Sequence, residues 1–160
     1  MKNLNGSKTI RLVLIMLCII SAIAILDILS MNSNIFGSPS DYLIGNFGVN
    51  WWGLFFKIGL IFIILSSIIY FLLKKDFSES ISIFIGTMLL WMVFGVADLF
   101  FFLFQGKIPP SNLCWLQGGF LSILSNLVGF HTVTPLSLII SVLIGLIIVY
   151  FITKFLVEKI

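Results

Sequence analysis

The stretch 81–104, ISIFIGTMLLWMVFGVADLFFFLF, contains a single charged side chain, Asp98. As a helix at about 1.5 Å per residue it would run about 36 Å, longer than the roughly 30 Å hydrocarbon core of a bilayer. It is one of four such runs. The others are 12–31, 51–73 and 136–157. The whole chain shares their composition: of 160 residues, 60% are hydrophobic and only 9% charged, with a mean hydropathy of +1.22. Soluble domains carry about 25% charged residues. The expected fold class is therefore an all-α integral membrane protein, a bundle of four transmembrane helices forming a single domain over 1–160, with the lipid bilayer as its solvent.

What lies between the runs sets the expected orientation. Lys2, Lys8 and Arg11 precede the first run, Lys74 and Lys75 follow the second, and Lys154 and Lys159 close the fourth. Seven of the nine Lys and Arg thus fall on one side. Cytoplasmic loops hold such charges, which places both termini in the cytoplasm of a multi-pass cell-membrane protein. These basic residues stand in ones and twos beside apolar runs, so the net charge of +3 reads as a topology signal and no nucleic-acid partner is expected. The stretch 32–50 has no Lys or Arg and belongs on the outside. Ala22-Ile23-Ala24 has the form of a signal-peptide cleavage site, but the apolar run continues past it, and a retained first helix is the better reading.

The segment 113–131 is apolar but interrupted by Gln117-Gly118-Gly119, Asn126, Gly129 and His131. Its apolar and polar residues fall on different helical faces, which suits an interfacial or re-entrant segment before the last helix. A fifth span is the alternative. It would move Lys154 and Lys159 outside.

Three charges lie within the spans. Asp27 is 16 residues from Arg11, Lys57 is 17 from Lys74, and Asp98 is 17 from Ile81. Each is then about 24 to 26 Å from the inner boundary, at one depth in the outer leaflet. A charge at mid-membrane costs about 2.5 to 3.5 kcal/mol, so two acids and a base at one level suggest either a ligand-binding site or an ion-pair cluster. Asp98 carries the stronger signal. Thr87, Trp91, Gly95, Asp98, Phe102 and Gln105 recur at helical spacing, with Trp91, Gly95 and Gln105 expected to line the cluster, Gly95 allowing close approach. On the fourth run Ser137, Ser141 and Gly145 form a small-residue ridge for helix packing, within the bundle or in a homo-oligomer.

The chemistry-bearing motifs of membrane enzymes are missing. No HExxH and no phosphate-cradling loop is present. The single histidine, His131, has no second ligand at metal spacing, and Cys18 and Cys114 form no CxxC pair. No metal and no cofactor is expected, no residue can be named as catalytic, and the balance leans away from an enzyme. The leading functional expectation is binding or translocation of a small ligand or ion at Asp27, Lys57 and Asp98. The alternatives are an accessory subunit of a larger membrane complex and an enzyme acting on a lipid or isoprenoid.

Overall fold

The computed structural model describes residues 2–33, 51–113, 116, 120–127 and 132–159, and these residues form helices and short connections without a strand. We number the helices α1 (Lys2–Ser33), α2 (Trp51–Lys74), α3 (Phe77–Met88), α4 (Val96–Gln105), α5 (Phe120–Leu127) and α6 (Pro135–Lys159), with a π-helical turn, Leu89–Val93, following α3. Three stretches are long and apolar enough to cross a membrane: Gly6–Leu29, Phe56–Lys74 and Pro135–Glu158. A fourth, Phe77–Val93 with Val96–Gln105, is bent by 70°. The result is an all-α bundle with three or four membrane-length helices, as the composition implied.

Each long helix is apolar around its whole circumference, because it meets neighbours on one side and no other part of the protein on the rest. The inward side of α1 buries Leu12, Met16, Ile20 and Ile23, and α3 answers with Ile83, α6 with Leu138 and Val149. On the outward side, Ile61, Leu65, Ile69 and Leu72 of α2 are more than half exposed, as are Leu143, Ile147 and Phe151 of α6. Apolar exposure of that extent is incompatible with water but normal against lipid.

Helix starts and stops follow local chemistry. Asp76 caps α3, accepting the Glu79 backbone N–H at 3.1 Å on its Oδ1. That bond, with help from the Lys8 ammonium, holds the Asp76 carboxyl below the usual carboxylate range. At the start of α6, Thr134 and Ser137 cap reciprocally. Ser137 N donates to Thr134 Oγ1 at 3.2 Å and Thr134 N to Ser137 Oγ at 2.9 Å, with Pro135 at the first helical position. Gly106 ends α4 in the left-handed conformation (φ 61°), and the N–H groups of Gly106 and Lys107 return to the carbonyls of Leu103 and Phe102.

One sequence expectation meets a different outcome. The run 81–104 is not one straight helix: it is interrupted at Phe94 and Gly95, so the stripe from Thr87 to Gln105 is divided between two helices of different direction. The depth assigned to Asp98 from a straight helix therefore does not hold. Within 113–131 the described helix is α5, whose eight residues extend about 12 Å, short of a bilayer core. Cys114, Trp115, Gln117, Gly118, Gly119 and His131 lie outside the described residues, as does the stretch 34–50.

Candidate functional site

The break in the third run organises the bundle's polar chemistry. Through Leu89–Val93 the helix widens by one residue per turn, and Phe94 N donates to the Leu89 carbonyl, five residues back, at 3.2 Å. Gly95 then adopts φ 68°, a conformation that costs other L-residues roughly 1 to 2 kcal/mol. A new helix starts at Val96, with Asp98 in its first turn.

Helix α6 supplies the notch that receives the break. Ser141 Oγ donates to the Phe94 carbonyl at 3.3 Å, tying α6 to the break. One turn on, Gly145 leaves room for the Phe94 ring: a Cβ at Gly145 would lie 2.7 Å from Phe94 Cβ. The small-residue ridge of α6 is thus filled by this chain itself. Ser137 caps its own helix, Ser141 bonds Phe94 and Gly145 seats its ring.

Beyond the break, α4 packs along α1, and Asp98 comes close enough to Asp27 for the two carboxylates to act on one another electrostatically. Both are half-buried. The ends of Leu121 and Leu138, from α5 and α6, lie over Gly95 beside the Asp98 carboxylate. Lys57 stands exposed on α2. Trp91 is buried and engaged with α2: it stacks on Phe56 with ring centroids 5.5 Å apart and lies over Gly59, where a Cβ would come within 2.6 Å of Trp91 Cζ2. Gln105 is half-buried at the last position of α4. Of the residues expected to surround one site, Asp27, Asp98 and Gly95 share a locality built by the break, Trp91 faces α2, and Lys57 is on the bundle's exposed surface.

A second polar cluster, at the opposite end, was not expected from sequence, where Ser78-Glu79-Ser80 reads as part of a short turn. Glu79 is buried to 4% exposure. Its carboxylate meets Lys8 Nζ at 2.5 Å and Arg11 Nη2 at 3.7 Å from α1, and accepts a hydrogen bond from the Tyr70 hydroxyl of α2. The flanking serines bind the remaining neighbours: Ser78 Oγ donates to the Leu156 carbonyl of α6 and Ser80 Oγ to the Ser67 carbonyl of α2, each at 2.6 Å. One tripeptide at the start of α3 thereby ties together α1, α2, α3 and α6. A signal for it was present. Asp76 followed three residues later by Glu79 is a capping pattern, and Lys8 and Arg11 share a face of α1 three residues apart.

Among the described residues, no three or more His, Cys, Asp or Glu gather at one point, so the Asp27–Asp98 pair offers two carboxylates and no larger ligand set. Such a pair attracts a cation or a group donating hydrogen bonds. No protein-family model, no curated protein and no solved structure matches the chain.

Proposed function

We propose that this chain is a multi-pass membrane protein, with both termini cytoplasmic, that binds or passes a small cationic or hydrogen-bond-donating ligand at Asp27 and Asp98. The observation that supports the reading is the helix break at Phe94–Gly95, which sets Asp98 in the first turn of a helix that packs along α1, within electrostatic range of Asp27. Interrupted backbone at membrane depth is stable only where it is buried in protein or lines a cavity, and broken helices of this kind build ion and substrate sites in membrane transporters. Two acids brought together in such a place repel unless a positive charge or a proton joins them. Lys57 is exposed on α2, and a cation or hydrogen-bond donor is the chemistry that complements two carboxylates. The orientation follows from the basic residues. Lys8 and Arg11, the Lys74-Lys75 turn and the Lys154 end of α6 gather at the Glu79 end of the bundle, which the positive-inside preference assigns to the cytoplasm.

An accessory-subunit reading would use the small-residue ridge of α6 as its docking face, and Phe94 of the same chain occupies that ridge. A thermal-unfolding titration of the detergent-purified protein tests the proposal, using sodium, potassium, calcium, and primary and quaternary ammonium ions. At least one cation is expected to raise the melting temperature saturably, by an amount equivalent to about 2.7 kcal/mol at a hundredfold excess over Kd. Asp27→Asn and Asp98→Asn should each abolish the rise. An equal shift in both variants, or none with any of these cations, would sink the proposal.

A further inference from the structure

We infer that the Glu79 cluster is the cytoplasmic gate of the path whose outer site is Asp27 and Asp98. This rests on the proposed function, and extends it by naming the residues that close the inner end. Glu79 is almost fully buried, yet two of its partners reach water: the side chains of Lys8 and Arg11 are 34% and 54% exposed. The titratable and charged groups that face Glu79 are Lys8 and Arg11 from α1, Tyr70 from α2 and Asp76 at its own helix start. Ion pairs with one buried and one hydrated partner are poor cement, because an apolar contact of similar volume would hold the helices as well or better. They are well suited to a contact that must open and close, since hydration of the released charges compensates the loss of the pairs.

The layer above the cluster carries an independent sign of the same kind. Ser82 and Thr153 are 1% and 0% exposed, and the hydroxyl oxygen of each is buried without a hydrogen-bond partner among the described residues. The helix register places them at one level: Ser78 meets Leu156, and Gly86, two turns further, packs against Val149, so Ser82 lies midway and opposite Thr153. Buried hydroxyls are rarely left unsatisfied, and here they line the seam that parting of α3 from α6 would wet. The closed seam leaves them unpaired and an open one hydrates them. Above them Met16, Gly86 and Val149 close the seam with apolar contact. The bonds of Glu79 reach both α1 and α2, while Ser78 beside it holds α6. Its release therefore frees α1 and weakens the hold on α2, leaving the Ser78 and Ser80 bonds as the remaining ties to α6 and α2.

The test is thiol accessibility of the full chain in vesicles. Ser82→Cys is placed in a background carrying Cys18→Ser and Cys114→Ser and reacted with a membrane-impermeant maleimide, applied in separate preparations to each face. With Glu79 intact, the introduced thiol should react slowly from both faces. Glu79→Gln should raise labelling from the cytoplasmic face about tenfold, and Tyr70→Phe, which removes one hydrogen bond, by a smaller factor, with no rise from the outer face. If Glu79→Gln fails to fold, Tyr70→Phe and Arg11→Gln are read in its place. Protection that persists in every variant that folds overturns the gate. An equal rise from both faces also overturns it, since that reports general loosening of the bundle. No ligand enters this experiment, so a negative result leaves the cation titration of Asp27 and Asp98 standing, and failure of that titration leaves this one readable.

Discussion

Gly145→Ala should destabilise the bundle by about 1 to 3 kcal/mol, and Gly95→Ala by a similar amount, for different reasons. At position 145 the added methyl would stand 2.7 Å from Phe94 Cβ, and Phe94 cannot withdraw: it is 3% exposed, and its carbonyl is held by Ser141. The cost is overpacking. At position 95 the methyl would meet the ends of Leu138 and Leu121 at 2.8 and 2.9 Å, and flexible leucine tips can shift. There the main cost is the φ of 68°, which alanine adopts only with strain. The two causes separate experimentally. Leu121→Ala should rescue little of the Gly95→Ala loss, whereas Gly95→Asn should cost less than Gly95→Ala, because asparagine tolerates the left-handed region. Gly6→Ala is the control: near the start of α1, with nothing within 4 Å of the new methyl, it should be neutral or stabilising by less than about 1 kcal/mol. Unfolding midpoints in mixed micelles measure all five variants. Loss of stability at position 6 equal to that at 145 would contradict the packing described for the break.

Glu79→Gln is expected to cost about 1 to 3 kcal/mol, measured in the same way. The amide keeps the shape but loses the charge that Lys8 and Arg11 answer, and leaves the Tyr70 hydroxyl with a weaker acceptor. The loss falls short of the 3 to 5 kcal/mol typical of splitting a fully buried pair, because Lys8 and Arg11 can turn to water. Glu158→Gln, near the exposed end of α6, should change stability by less than about 0.5 kcal/mol. A Glu79→Gln effect no larger than that of Glu158→Gln would mean that the tripeptide at the start of α3 does not tie the four helices.

Sequence reading recovered what depends on composition and missed what depends on partners. The long apolar runs were legible because solvent decides them: a stretch such as Pro135–Glu158 must be helical in lipid whatever surrounds it. The ends of α4 and α6 were legible for a related reason, since Gly106 before two prolines and Pro135 after Thr134 act within one turn of chain. The break at Gly95 was also written locally, as a glycine followed three residues later by an acid, the mark of a helix start. It was hidden by the unbroken hydrophobicity of 81–104, in which a small residue near Asp98 reads more readily as room for a neighbour. The ridge on α6 marked a face for close helix packing, but only the fold identifies what packs there, Phe94 of the same chain. Glu79 was the largest omission. A carboxylate beside two lysines in a polar turn has the look of a hydrated residue, and its burial arises only when α1 and α2 converge on it. Lys57 illustrates the converse: equal depth along a straight helix does not imply a shared face.

A double-mutant cycle between Asp27 and Asp98 tests the central claim, that the break brings these two carboxylates into one site. Unfolding free energies are measured for the native protein, Asp27→Asn, Asp98→Asn and the double variant. Non-additivity above about 0.5 kcal/mol is expected, as for charges within electrostatic range of one another. Effects that add to within about 0.5 kcal/mol would show that the acids do not share a site, and would contradict the account.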